Sequence, residues 1–84
     1  MENLIIKEIS RRAEQLIRYH AEQLLEAPIP LDKQPSMNDA AAVITSVAHY
    51  CALNNIDIGD MMDAAQKSYR VESIALNMFR EITQ

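Results

Sequence analysis

Residues 38–55, NDAAAVITSVAHYCALNN, constrain the fold more than any other stretch. From position 40 to position 53 the chain is an almost unbroken run of small and apolar residues without Gly or Pro. Val43, Ile44, Val47, Ala48 and Cys51 recur at helical spacing and form one wide stripe, while Ala40, Ala41, Ala42 and Ala52 keep much of the remainder small. A helix that is apolar over most of its circumference is normally enclosed by other helices. The stretch therefore predicts the central helix of a small bundle, with neighbours that approach closely.

The breakers agree. One Gly and three Pro in 84 residues favour long helices over a turn-rich β fold. A chain of this length is one domain, residues 1–84, large enough for a core and too small for two. Aromatic residues make up 5% and Trp is absent, so the core must be aliphatic, with five Met among its candidates. The expected fold class is all-α, a bundle of three to four helices at about 2–27, 37–54, 58–69 and 71–82.

Residues 2–27 read as one long helix. Ile6, Ile9, Ala13, Leu16, His20 and Leu24 recur at three- and four-residue steps, with Lys7, Glu8, Arg11, Glu14, Gln15, Arg18 and Glu22 on the other side. Such a helix is about 37 Å long, more than a compact domain of this size spans. Its first turns therefore fray or pack on a second copy, and Leu4, Ile5, Ile6 and Ile9 are the candidate interface. His20 lies on the apolar stripe with no second His or Cys at ligand spacing, and reads as a core or boundary histidine.

Residues 28–35, PIPLDKQP, break the helix, since three prolines remove backbone donors and push their predecessors out of helical geometry. Ile29 and Leu31 are the expected anchors of this connector. Ser36 then opens the central helix with Asp39 in the manner of a capping box. Asn54 and Asn55 close it, Asn being tolerant of left-handed geometry. Ile56 and Ile58 are expected to turn back into the core, and Asp57 to cap the next helix. That helix carries Met61, Met62, Ala65 and Tyr69; a stripe of Val71, Ile74, Ala75, Met78, Phe79 and Ile82 follows, with a bend expected near Arg70.

The formal net charge of −4 argues against a duplex nucleic-acid binder, whose affinity rests on neutralising phosphates. Arg11, Arg12 and Arg18 interleave with Glu8, Glu14 and Glu22, the pattern of a solvated face with intrahelical pairs. The single Cys, Cys51, sits on the apolar stripe and reads as a small buried hydrophobe. There is no signal-peptide pattern, and no apolar run nears the roughly 18 residues of a membrane span. A cytoplasmic location is the expectation.

Residues that could carry chemistry are few. His49 and Cys51 are too near in the helix to face one another, and the lone Gly59 makes no phosphate loop. Asp57, Asp60 and Asp63 step around a helix opening, where negative charge is favoured in any case. Glu22 and Glu26 stand one turn apart on one helix face, so both carboxylates could reach one divalent ion.

Taken in order, EQLLE at 22–26, DAAAV at 39–43 and NIDI at 55–58 resemble the MazG-like all-α nucleoside triphosphate pyrophosphohydrolases, over roughly residues 22–70. That family carries E-E-x-x-E on one helix and E-x-x-D on the next, then an apolar run and a turn of the G-I-D-L type. The resemblance implies Mg²⁺ held by Glu22, Glu26, Asp39 and the residue at 42. Gln23 replaces the second Glu of the first motif, and Ala42 stands where the last Asp belongs. Three carboxylates are a poor set for an ion that demands octahedral oxygen ligation, and phosphoryl chemistry depends on such ions.

The leading expectation is therefore a non-catalytic helical binding or regulatory protein, without a cofactor, acting through contacts with a second copy and with another protein. The alternative is a metal-dependent nucleotide pyrophosphohydrolase or a degenerate relative of one.

Overall fold

A computed structural model describes the backbone of residues 4–83 and the side chains of residues 4–77. It is all-helical, with three helices: α1 (Leu4–Gln23), α2 (Met37–Leu53) and α3 (Ile58–Thr83). α2 packs against both of the others, so the stretch expected to be central does lie between its neighbours.

The ends of the helices follow local chemistry. Pro28 excludes helical geometry at Ala27, and the chain turns earlier than the periodicity predicts. α1 stops at Gln23, Glu26 adopts a left-handed φ of 53°, and the Ala27 N–H reaches back to the Ala21 carbonyl at 3.0 Å. The expected end at residue 27 is thereby corrected. α2 opens on the expected capping box: the Asp39 N–H donates to Ser36 Oγ at 3.2 Å, and the Ser36 N–H donates to Asp39 Oδ2 at 2.7 Å. It closes through Asn54 and a left-handed Asn55 (φ 56°), with the Ile56 N–H on the Cys51 carbonyl at 2.9 Å. This is a Schellman closure, in which one left-handed residue satisfies carbonyls that the helix would otherwise leave open. Asp57 caps α3 by accepting the Asp60 N–H at 2.8 Å.

α3 runs through position 70 without interruption, so of the three to four helices expected the structure has three, and the spans at about 58–69 and 71–82 form one helix. Residues 68–72, SYRVE, contain neither Gly nor Pro, and nothing in the local chemistry stops a helix there. The side chains of Met78, Phe79 and Ile82 lie outside the described residues.

Packing departs further from the sequence expectation. Among the described residues only His20, Ala21 and Cys51 are buried. Val47, at the middle of the apolar stripe, is 38% exposed, and Ile56 and Ile58 face solvent instead of turning inward. The chain measures 43 × 36 × 15 Å, and its thinnest dimension is little more than one helix with its side chains, about 10–12 Å across. The radius of gyration is 15.4 Å, against about 12 Å for a compact domain of this length. α2 is central in order and contact, but the enclosing layer that its composition calls for is missing from a single chain.

The connector is held by one side chain that the sequence reading placed on a solvated face. The Arg18 guanidinium reaches from α1 to the carbonyls of Ile29, Pro30 and Lys33 at 3.5, 3.3 and 2.6 Å, and is oriented by Glu14 Oε2 at 2.9 Å. Five N–H donors in a fixed fork suit such a task. Leu31, expected as an anchor, is 94% exposed, whereas Ile29 is half-buried. Arg18→Ala is expected to free residues 28–35 and to speed tryptic cleavage after Lys33 about tenfold, the consequence of about 1.4 kcal/mol of lost anchoring. Limited proteolysis followed by mass spectrometry measures it; an unchanged cleavage rate would remove Arg18 from this role.

Candidate interaction surface

The exposed apolar side chains are distributed over all three helices. On α1, Leu4, Ile5, Ile6 and Ile9, the residues expected to form an interface, are all exposed, and Leu16 joins them at 56%. On α2, Met37, Ile44 and Tyr50 are exposed; on α3, Tyr69, Val71 and Ile74 are. The total accessible surface is 7119 Å². A compact monomer of 9.5 kDa exposes about 5,000 Å², so this chain leaves about 2,000 Å² more in water than its mass requires. Isolated exposed apolar residues are ordinary on a folded protein, whereas contiguous patches of them are what interaction sites are built from.

Electrostatics on α1 are local. Glu8 accepts from Arg11 (Nη2 to Oε1, 2.6 Å) and from Arg12 (Nε to Oε1, 3.0 Å), and Glu14 pairs with Arg18. These are the intrahelical pairs that the interleaved charges predict. Hydrogen bonds from Arg11 and then Arg12 lower the Glu8 pKa from its ordinary 4.5 to about 2, and Glu8 in turn raises that of Arg11. Glu8 therefore stays ionised far into acid. Arg11 and Arg12 are thus paired within the helix, while Arg18 also reaches the connector carbonyls.

The acids of the pyrophosphohydrolase-like pattern lie apart in role. Glu22 is helical and exposed, whereas Glu26 lies beyond the end of α1 in left-handed geometry, so the two do not share a helical face. The Asp39 carboxylate is occupied by the N–H and hydroxyl of Ser36, at 2.7 and 3.0 Å. Ala42 is half-buried. Among the described residues there is no group of three His, Cys, Asp or Glu side chains that could hold a metal ion. Asp57 is a cap, and Asp60 and Asp63 are exposed.

One polar pair joins α1 to α2. His20 Nε2 lies 2.7 Å from Ser46 Oγ, and His20 is 6% exposed. Its other ring nitrogen, Nδ1, is fully buried with no hydrogen-bond partner. A Ser–His pair is the start of a nucleophile–base arrangement, but the base needs a third group to orient it, and Nδ1 has none. The contact thus fixes the register of α1 on α2. The sequence reads His20 as a satisfied core or boundary histidine; it is buried, but only one ring nitrogen has a partner, and that partner, Ser46, was missed although its small polar side chain within the apolar run was the available signal. Cys51, 2% exposed and a free thiol, is the small buried hydrophobe expected.

No helix among the described residues is long and apolar enough to cross a membrane. No protein-family model, no curated protein and no solved structure matches this chain.

Proposed function

We propose that this chain is a non-catalytic helical binding and regulatory protein that works through protein–protein contacts, with the homodimer as its basic unit. The observation that carries the reading is the excess of about 2,000 Å² of exposed surface on a slab only 15 Å thick. A standard interface removes about 800 Å² from each partner, and obligate homodimers remove more. The single chain therefore carries enough unspent surface for self-association with area left over for another protein. Exposed Met37 and Met62 suit the second role, because an unbranched thioether adapts to differently shaped partners.

The acids that resemble a pyrophosphohydrolase pattern add no second reading, because Asp39 acts as a cap and Glu26 lies off the helix of Glu22. Sedimentation velocity on the purified chain at about 10 μM, within the range in which a Kd of about 1 μM or tighter gives mostly complex, tests the proposal. The expected species has twice the 9.5 kDa chain mass. A species of the single-chain mass would remove the homodimer and with it the explanation of the exposed surface.

A further inference from the structure

We infer that two copies pair by exchanging oppositely charged apolar patches: the N-terminal end of α1 in each copy docks on the corner between α2 and α3 of the other. This rests on the homodimeric reading above and names the two surfaces that meet. The first patch is apolar and basic. Leu4, Ile5 and Ile9 are exposed, and residues 4–13 carry Lys7, Arg11 and Arg12 against Glu8 alone, a net charge of +2. The intrahelical pairs do not cancel that charge, because both arginines share the one Glu8 carboxylate and their side chains stay 57% and 75% exposed. Nor do these arginines lie on the far side of the helix. At 100° per residue Arg11 stands about 20° around the helix from Leu4, and Arg12 about 20° from Ile5. Each guanidinium therefore flanks an exposed aliphatic residue.

The second patch is apolar and acidic. Ile56 and Ile58 at the corner and Met62 near the start of α3 are exposed. Asp57, Asp60 and Asp63 are interspersed with them, and residues 54–63 contain no base, which gives a net charge of −3. Asp57 uses one oxygen to cap the Asp60 N–H, but among the described residues none of the three aspartates has an ion pair. Carboxylates without a cation, set among exposed aliphatic residues, match a partner that brings apolar volume and positive charge together. The end of α1 has both.

Charge complementarity selects a second copy as the occupant. Each copy carries a net charge of −4, so two copies repel as wholes, and a contact between like patches adds to that cost. Meeting +2 with −3 is attractive where the surfaces touch. The single chain leaves both patches in water, so neither covers the other within one copy. In a two-fold pair each copy gives one end of α1 and receives one, so the contact is made twice and closes at two copies.

Charge reversal on either side tests this by sedimentation. One variant is Arg11→Glu/Arg12→Glu and the other Asp60→Lys/Asp63→Lys, all at exposed helical positions and all to residues of good helix propensity. Each variant alone juxtaposes like charges in both contacts and is expected to sediment at single-chain mass, with its far-UV circular dichroism unchanged. An equimolar mixture restores opposite charges in both contacts and is expected to sediment at twice that mass. Raising NaCl from about 50 mM to about 500 mM shortens the screening length about threefold and is expected to weaken the wild-type dimer about tenfold. A wild-type chain that is already monomeric overturns the homodimeric reading. A wild-type dimer that persists in both variants, or two helical variants that stay monomeric when mixed, overturns the exchange while leaving that reading in place. If either variant loses helical signal, the salt dependence of the wild-type dimer decides, and a dimer indifferent to salt overturns the exchange.

Discussion

Cys51→Asp is expected to abolish the cooperative thermal transition of this protein. Cys51 is 2% exposed, and its carbonyl accepts the Ile56 and Asn54 N–H groups that close α2. The substitution puts a carboxylate of similar size where neither water nor a cation reaches it. An unpaired buried charge costs several kcal/mol, about 3–5 in measured cases, and a domain of this size has only about 5–15 to lose. With three buried residues among those described, this chain belongs near the lower end. Cys51→Ser is the milder probe, since a hydroxyl can rotate to an acceptor; it is expected to lower the midpoint while keeping the transition. Differential scanning calorimetry separates the two outcomes. A cooperative Cys51→Asp transition within a few degrees of wild type would mean that the corner of α2 and α3 does not hold the fold.

Cys51 marks the line between what is legible in the sequence and what is not. Periodicity at 38–55 located the central helix and its caps, because Ser36–Asp39 and Asn54–Asn55 act through neighbours in the chain. The same stripe points to Val47 as the deepest position, yet Val47 is 38% exposed. Apolar spacing reports which face of a helix avoids water; it does not report whether one chain has enough helices to cover that face. The helix of residues 58–83 is a similar case: a change of stripe near Arg70 reads as a bend, but a long helix can present different faces to different neighbours along its length. Arg18 was hidden because its partners are backbone carbonyls of Ile29, Pro30 and Lys33, which no side-chain pattern announces. Of the candidate site, Leu4, Ile5, Ile6 and Ile9 were legible as apolar positions at the start of the first helix. The exposed side of α2 was not, because a bundle of three to four helices was expected to enclose it.

Removing the partner of His20 is expected to cost more than removing the pair. Ser46→Ala leaves His20 with both ring nitrogens unpaired in a site that is 6% exposed. A buried polar group stripped of its hydrogen bond costs about 1–3 kcal/mol, a large share of a marginal stability. His20→Leu removes the ring together with the unpaired Nδ1, and leaves the hydroxyl of half-buried Ser46 free to turn to a backbone carbonyl of its own helix. It is expected to be closer to wild type, because burying an apolar side chain offsets the lost bond. The double variant His20→Leu/Ser46→Ala leaves no polar atom of the pair in the α1–α2 contact and is expected to be at least as stable as His20→Leu. The two changes are therefore non-additive, with the damage of Ser46→Ala rescued by His20→Leu. Urea unfolding of all four chains at one protein concentration measures the cycle, and the fixed concentration keeps any dimerisation term constant. Additive losses across the cycle would show that Ser46 and His20 contribute to packing separately and that their 2.7 Å contact carries no coupling between α1 and α2.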